Sequence, residues 1–235
     1  MKAMILAAGL GSRLGDLTRE TPKCLMQVSG TTLLEIVVNQ LKELGASEII
    51  INLYHLAEKV EQYVHSRNFF GTRIFLSREE QLLGTGGGVL NVAGRLQEED
   101  CFIIYNADVY SEVNLHKLIV EHTCHNALAT LAIMNRETSR PLFFDKNMHM
   151  CREHKEDRQP FGFTGIHVLS PRIFDYFVGF HKPFSIIDPY KQAVESGERI
   201  MGFDIGETYW IDAGVPSRLE SLREYLDKKP TFKIS

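Results

Sequence analysis

The chain carries near its start the stretch Leu6-Ala7-Ala8-Gly9-Leu10-Gly11-Ser12-Arg13-Leu14, and Pro22-Lys23 follows soon after. An apolar run leads into the stretch and is typical of a buried parallel strand. Because glycine has no Cβ, the chain can turn sharply at the two glycines and point several N–H groups at one anion. Arg13 and Lys23 add positive charge. The stretch therefore predicts a phosphate-binding loop after the first strand of an α/β fold.

The spacing of the glycines separates this loop from two common phosphate-binding loops. A dinucleotide fingerprint needs G-x-G-x-x-G, but Leu14 stands at the third glycine position. A Walker A loop needs G-x-x-x-x-G-K-[ST], which has no match in the chain. A purely structural turn would explain the glycines alone, but it would not explain the two cations beside them.

The composition is that of an ordinary globular protein. The 235 residues are 44% hydrophobic and 24% charged, with a net charge of −4. This charge gives no reason to expect nucleic-acid binding, and no apolar run reaches the roughly 18–20 residues of a membrane span. The four cysteines lack metal or disulfide spacing, so we expect reduced thiols. His116, His122 and His125 fall on one predicted helix, where we expect them at the surface.

The start and end of the chain carry further expectations. The first strand begins almost at Met1, which leaves no room for a leader peptide. We therefore expect a cytoplasmic protein that makes no contact with membranes or nucleic acids. We expect one domain over residues 1–227, followed by a polar tail over 228–235.

The order of apolar runs and helical patterns predicts the fold. In the first half they alternate, as in a helix over 33–44 followed by a strand over 47–52. This order favours an α/β fold with a Rossmann-like, mainly parallel sheet flanked by helices. From residue 127 onward, shorter runs and a hairpin-like pattern around 145–147 predict a small antiparallel extension of the same sheet.

Two aspartates follow predicted strands. Asp108 comes after the strong strand over 101–105, and Asp212 comes after a short apolar run. Ligands of open α/β sheets bind at the carboxyl ends of strands, and Mg²⁺ takes one or two carboxylates together with phosphate oxygens. The pair could hold one Mg²⁺ ion, or each could simply cap a helix.

A third feature is the glycine run within Leu83-Gly84-Thr85-Gly86-Gly87-Gly88, before a helix predicted over 89–96. Glycines in a helix cost about 1 kcal/mol each relative to alanine. Such a run is expected where a flat ligand approaches the backbone closely. A flexible hinge is the alternative.

These motifs together resemble the signature of the sugar-1-phosphate nucleotidylyltransferases. The resemblance rests on A-A-G-x-G-S-R-L with P-K, the L-G-T-G-G loop, Asn106-Ala107-Asp108, and Trp210-Ile211-Asp212-Ala213-Gly214-Val215-Pro216. The details are most similar to short bacterial members such as N-acetylmuramate-1-phosphate uridylyltransferase and the heptose- and mannose-1-phosphate guanylyltransferases. The resemblance implies a nucleotide-diphospho-sugar transferase fold and a role in nucleotide-sugar biosynthesis for cell-envelope polysaccharide.

The family's reaction joins a nucleoside triphosphate to a sugar 1-phosphate and releases pyrophosphate. The resemblance implies catalytic roles for Arg13 and Lys23 and a Mg²⁺ ion held by Asp108 and Asp212. It implies nucleotide binding by Ala7, Ala8, Gly9, Gly11, Ser12, Arg13, Lys23, Thr85, Gly86, Gly87 and Asn106. It implies sugar binding by Asp108, Gly165 and Asp188.

The chain departs from the family pattern in two places. Many relatives have E-K-P where this chain has Glu153-His154-Lys155-Glu156, so a role for Lys155 in binding the sugar phosphate is not carried over. No hexapeptide-repeat segment follows the last predicted helix, so we expect a monomer or a small homo-oligomer.

The sequence leaves alternatives open both for the nucleotide that is used and for the class of function. UTP or GTP fits the resemblance: the all-glycine loop favours UTP, whereas Leu83-Gly84 is more similar to the guanylyltransferase loop. A cytidylyl- or other nucleotidylyltransferase acting on a non-sugar phosphate, such as choline phosphate, would have the same motifs. A non-catalytic regulatory protein that binds nucleotide sugars would be expected to lack Arg13, Lys23 or one of the aspartates.

Overall fold

The computed structural model describes residues 1–152 and 156–229. Three residues of the Glu153–Glu156 segment, Lys155 among them, lie outside the described residues, as does 230–235 of the predicted tail. No helix in the described ranges is both long and apolar enough to cross a membrane.

The central sheet is mixed and mainly parallel in its first half, as predicted. The strands are β1 (Ala3–Leu6), β2 (Gln27–Val28), β3 (Thr31–Thr32), β4 (Ile49–Leu53), β5 (Ile74–Arg78), β6 (Phe102–Asn106), β7 (Val109–Ser111), β8 (Ala129–Met134), β9 (Leu142–Phe144), β10 (Met150–Cys151), β11 (Gln159–Leu169), β12 (Ile200–Asp204) and β13 (Trp210–Asp212). Along the sheet the order is β10-β9-β11-β6-β1-β4-β5, and β8 joins β11 to β12. Strands β6, β1, β4 and β5 are parallel, so their carboxyl ends share one edge.

Helices cover this sheet. They are α1 (Leu17–Glu20), α2 (Leu33–Glu43), α3 (Ala57–Ser66), α4 (Gly84–Asn91), α5 (Ala93–Leu96), α6 (Leu115–Cys124), α7 (Ile187–Glu195) and α8 (Pro216–Asp227), with 3₁₀ turns at Ser12–Leu14, Lys23–Leu25, Asn68–Gly71 and Pro171–Phe177. Helix α2 shows why these segments fold as predicted. The Thr32 hydroxyl accepts a hydrogen bond from the Glu35 N–H at 3.1 Å, and the chain turns at Gly45 with φ +85°.

The second half extends the sheet largely as predicted. The hairpin around 145–147 forms between β9 and β10, and β11 pairs antiparallel with both β6 and β8. Strand β12 differs from the prediction because it runs parallel to β8. A separate two-stranded antiparallel sheet pairs β7 with β13, with Asp212 opposite Val109, and it places the segments that carry Asp108 and Asp212 side by side.

Two local predictions are wrong. The glycine run is not a loop, because α4 begins at Gly84 itself. His122 is not on the surface: it is buried, and its Nδ1 lies 3.1 Å from the Thr130 hydroxyl. Burial, followed by the charge of Arg172, lowers the pKa of His122 to about 4.

Candidate active site

The loop after β1 lines a cavity of about 420 Å³. Gly11 in this loop has φ +66°, and a Cβ there would stand 2.6 Å from Thr18 Cγ2. The Thr18 hydroxyl donates to the Gly11 carbonyl oxygen at 3.2 Å, so α1 is packed closely against the loop. At Gly9 a Cβ would meet no atom of the described residues within 4 Å. Gly11 therefore fixes the shape of the loop, and Gly9 leaves its backbone accessible to a ligand.

Most of the residues predicted to bind nucleotide come together around this first cavity. Those that line it are Ala7, Ala8, Gly9, Gly11, Ser12, Arg13, Lys23, Thr85 and Asn106. They come from the ends of β1 and β6, from the turn after Pro22, and from the first turn of α4. The carboxyl edge of the parallel strands thus forms the floor of the cavity, as expected for an open α/β sheet.

Gly86 and Gly87 are not among the residues that line the two cavities, and both pack against neighbouring segments. A Cβ at Gly86 would lie 2.3 Å from the Phe184 ring, and one at Gly87 would lie 3.1 Å from Leu83 Cβ. The Gly86 N–H donates to the Phe184 carbonyl oxygen at 3.0 Å. These glycines let α4 pack against the segment before α7.

A buried polar network holds the floor of the first cavity, and the sequence analysis missed it. The Asn52 side chain accepts from the Ala7 N–H at 2.8 Å and donates to Glu79 at 2.7 Å. Glu79 in turn accepts from the Leu83 N–H at 3.1 Å. The network ties the phosphate loop to the start of α4. Its signal in the sequence is a polar residue at the end of the apolar strand β4.

A second cavity of about 650 Å³ adjoins the first. The residues predicted to bind sugar or metal line it: Asp108, Gly165, Asp188 and Asp212. Gly165 has φ +85°, and a Cβ there would stand 2.5 Å from the Asn106 amide nitrogen. Only glycine therefore lets β11 pass this close to the end of β6. The two cavities share Leu6, Arg13, Thr85, Asn106 and Asp108 in their linings.

Both aspartates form ion pairs with basic side chains. Lys23 donates to an Asp108 carboxylate oxygen, and both side chains are largely buried. Asp212 pairs with Arg218 of α8 and accepts from the Gly214 N–H at 3.2 Å. The Ala213 N–H donates to the Asp108 carbonyl oxygen at 2.8 Å, so the two acidic segments are directly joined.

This arrangement fits a magnesium ion in its donor chemistry. Asp108 and Asp212 supply carboxylate oxygens to one cavity, and Mg²⁺ is usually bound by one or two carboxylates together with the phosphates of a substrate. Each carboxylate is paired with a cationic side chain, and a bound metal ion would take the place of that side chain. Within residues 1–152 and 156–229, no group of three or more acidic, histidine or cysteine side chains forms a metal cluster.

Arg13 lies where the two cavities meet. A Cβ at Gly214 would stand 2.8 Å from Arg13 Nη2 and 2.8 Å from Asp212 Oδ1. Gly214 thus makes room for a guanidinium and a carboxylate beside one backbone position. Arg13 is exposed to both cavities and can reach an anion in either.

Three further cations that the sequence analysis missed line the second cavity: Arg136, Arg140 and Lys191. Arg136 and Arg140 follow the end of β8, and Lys191 lies one helical turn after Asp188. For Arg136 and Arg140 the sequence holds the same signal as for Asp108, namely a polar residue soon after a buried strand, whereas Lys191 lies within a helix.

Comparison with known proteins agrees with this geometry. Residues 2–144, more than half of the chain, match the family model described as nucleotidyl transferase. The D-glycero-alpha-D-manno-heptose 1-phosphate guanylyltransferase of Aneurinibacillus thermoaerophilus is 27% identical over 92% of this chain and 94% of its own length. The N-acetylmuramate alpha-1-phosphate uridylyltransferase of Caulobacter vibrioides is 26% identical over 91% of this chain and 92% of its own.

A solved structure supports the fold. A UDP-glucose pyrophosphorylase in complex with UDP-glucose superposes with a TM-score of 0.82, at 17% identity, over 97% of this chain and 99% of that one. The chain spans 64%, 68% and 61% of the lengths of three other curated relatives that it matches. By the extent of the family match, this chain belongs to the nucleotidyl transferase family.

Proposed function

We propose that this chain transfers a nucleotidyl group from UTP or GTP to a sugar 1-phosphate and releases pyrophosphate. The observation that carries the proposal is the junction of two cavities at Arg13, Asn106 and Asp108. A phosphate loop lines one cavity, and a larger polar cavity opens beside it. Two substrates bound there would bring their phosphates together at a charged junction.

The nucleophile in this reaction is a phosphate oxygen of the sugar 1-phosphate. It is already anionic at neutral pH, so it needs no general base, and attack on the α-phosphorus requires positioning and charge neutralisation. The planar guanidinium of Arg13 would bind the triphosphate and the departing pyrophosphate. Lys23 would leave Asp108 and neutralise the α-phosphate together with the incoming phosphate.

We propose that Asp108 and Asp212 hold Mg²⁺ when substrate is bound. The ion would supply charge stabilisation to the phosphate oxygens. When the ion binds, Asp108 would separate from Lys23 and Asp212 would separate from Arg218. The Lys23 ammonium would then be available to bind phosphate. The N–H groups of Gly11 and Ser12 would donate to the triphosphate, and Gly165 and Asp188 would contact the sugar.

We also propose that residues 1–227 act as one catalytic domain. Leu14 of the phosphate loop and Leu226 of α8 lie in the same buried cluster. Ala3 of β1 and Ile205 after β12 share another. Hydrophobic packing therefore connects the phosphate loop with elements close to the end of the described residues.

A pyrophosphate-release screen tests the proposal. Each of four nucleoside triphosphates would be offered with each of a panel of sugar 1-phosphates and with choline phosphate. We expect release only with a sugar 1-phosphate, and its loss in Lys23→Met. The matched control is Lys117→Met, an exposed lysine of α6. If choline phosphate is the only acceptor that gives pyrophosphate release, the sugar assignment is wrong. If none of the acceptors gives release, the enzymatic role is wrong.

A further inference from the structure

A buried pair of polar side chains lies at the floor of the first cavity. Asn52 belongs to β4 and Glu79 directly follows the neighbouring parallel strand β5; they are 3% and 4% exposed. The Glu79 N–H donates to the Leu53 carbonyl oxygen at 2.8 Å, so its backbone is anchored to the end of β4. A Cβ at Gly88 would stand 2.8 Å from Asn52 Nδ2 and 3.0 Å from Glu79 Oε1. The last glycine of the run therefore leaves the space that this pair occupies.

The pair connects two walls of the cavity that come from different elements. On one side, the Ala7 N–H of the phosphate loop donates to Asn52 Oδ1 at 2.8 Å. On the other side, the Leu83 N–H donates to Glu79 Oε2 at 3.1 Å, and α4 begins at the next residue. Asn52 Nδ2 donates to Glu79 Oε1 at 2.7 Å and completes the connection. Ala7 and the residues on either side of Leu83 line the cavity, so the separation of its walls depends on these hydrogen bonds.

The polarity of this connection requires a carboxylate at Glu79. Both ends of the connection are backbone N–H groups, which can only donate. The Asn52 amide accepts at one end and donates at the other, so the last member must accept twice. An ionised carboxylate does this, whereas an amide has only one accepting end. Glu79→Gln would therefore leave two donors facing each other, either at Leu83 or, if the Asn52 amide turns over, at Ala7.

A contribution to stability does not by itself explain the pair. When two buried polar partners are replaced together by apolar groups of the same shape, stability can remain almost unchanged. Burial of this carboxylate is costly, because the partners of its two oxygens are N–H groups rather than cationic side chains. What the pair supplies is a fixed separation between the phosphate loop and the start of α4. Walls that are already in place strengthen binding, because less order has to be imposed when the ligand arrives.

We propose that Asn52 and Glu79 are positioning residues for the nucleoside triphosphate. They hold the phosphate loop and the start of α4 at the separation that the bound nucleotide spans, and they act through the backbone at Ala7 and Leu83. The inference rests on the proposed function, because it assigns the spacing of the cavity in which the nucleotide binds.

The test measures nucleotide binding without turnover. UTP and GTP, each with Mg²⁺ and without a sugar 1-phosphate, are titrated into the protein by isothermal titration calorimetry. We expect Glu79→Gln to raise the Kd of the tighter-binding triphosphate about tenfold, because the walls then hold the binding geometry only part of the time. Asn52→Asp, which sets a second carboxylate against Glu79, should raise it at least as much. Glu80→Gln, at the exposed neighbouring position, is the matched control and should leave the Kd unchanged.

A double variant tests the polarity of the connection. In Asn52→Asp/Glu79→Gln, the new carboxylate can accept from the Ala7 N–H and from the new amide, whose oxygen can accept from the Leu83 N–H. Every hydrogen bond of the connection is then available again, and the net charge is that of the wild type. We expect the double variant to bind the triphosphate more tightly than Asn52→Asp alone, whereas independent losses would multiply.

Two further measurements distinguish positioning from a purely structural role. Urea denaturation gives the stability of each variant, and steady-state kinetics give KM for each substrate. A purely structural role would lower the free energy of unfolding but leave Kd and KM of the folded protein at wild-type values. Positioning should raise KM for the triphosphate about tenfold. It should leave KM for the sugar 1-phosphate nearly unchanged.

The outcomes separate this inference from the proposed function. If the wild type binds neither triphosphate, both are wrong. If Glu79→Gln folds and binds the triphosphate as tightly as the wild type, the positioning role is wrong and the proposed function stands. Single losses that multiply in the double variant also overturn the inference. If a single variant does not fold, the double variant decides: a Kd within about tenfold of the wild type supports the inference, and a weaker one overturns it.

Discussion

Lys23 and Asp108 form an ion pair at the junction of the two cavities. The pair joins a proposed phosphate ligand to a proposed metal ligand, so neither charge stands alone in the described structure. Binding of an anion and a cation together would separate the two side chains and give each a new partner. The pair itself is therefore neutral before substrate binds, and Arg13 supplies positive charge to the junction.

Replacement of Lys23 should greatly lower the catalytic rate. We expect Lys23→Met to lower kcat/KM by about 10²–10⁴, because an ammonium that acts mainly in the transition state supplies charge stabilisation of that size. Steady-state kinetics with the cognate substrates measure the loss. Unchanged turnover would show that Lys23 only partners Asp108.

The two aspartates should act as one unit toward Mg²⁺. We expect Asp108→Asn and Asp212→Asn each to raise the Mg²⁺ concentration needed for half-maximal rate, and the double variant to be little worse than the worse single one. Asp175→Asn, at an exposed carboxylate in the 3₁₀ turn, is the control. Losses that multiply fully would contradict a shared ion. Unfolding of Asp212→Asn would identify that side chain as structural.

Gly86 and Gly94 form a matched pair in consecutive helices. A Cβ at Gly86 would lie 2.3 Å from the Phe184 ring, whereas one at Gly94 would meet no described atom within 4 Å. We expect Gly86→Ala to destabilise the protein by about 1–3 kcal/mol through overpacking. Gly94→Ala should stabilise it by up to about 1 kcal/mol through helix propensity. Chemical denaturation measures both, and equal effects would contradict the packing assigned to Gly86.

His122 should make stability depend on pH. Burial lowers its pKa in the folded protein to about 4, below the ordinary value of 6.5. Between these values the unfolded chain binds a proton that the folded chain does not. The free energy of unfolding should therefore fall as pH falls from 6.5 toward 4, by about 1.4 kcal/mol per pH unit for this histidine.

The control for this prediction lies on the same helix. His122→Asn, which keeps a polar atom near Thr130, should reduce the slope of stability against pH, and His116→Gln at an exposed position of α6 should leave it unchanged. Urea denaturation at several pH values between 6.5 and 5 gives the slopes. An identical slope in wild type and His122→Asn would contradict the burial of a neutral ring.

The sequence predicts those parts of the fold and site that depend on local pattern. Asp108 could be placed because a carboxylate just after a buried parallel strand lies at the ligand edge of the sheet. The helical structure of Gly86 and Gly87 could not be predicted, because their low helix propensity indicates a loop. In the structure Gly86 packs against Phe184, and Gly87 packs against Leu83 and Lys182. His122 carried a usable signal: it continues the spacing of Leu115 and Leu118, the buried face of α6. The position of Arg136 depends on Gly162 and Trp210, which are distant in sequence.

The fate of the acceptor's phosphate oxygens tests the central claim most directly. The sugar 1-phosphate would be labelled with ¹⁸O in its phosphate and incubated with Mg²⁺ and the preferred nucleoside triphosphate, and the products would be examined by mass spectrometry. Attack of the sugar phosphate on the α-phosphorus predicts that all of the label enters the nucleoside diphosphate sugar and that the pyrophosphate is unlabelled. Label in pyrophosphate or in free phosphate, or nucleotide hydrolysis with the sugar 1-phosphate unchanged, would contradict the proposed transfer.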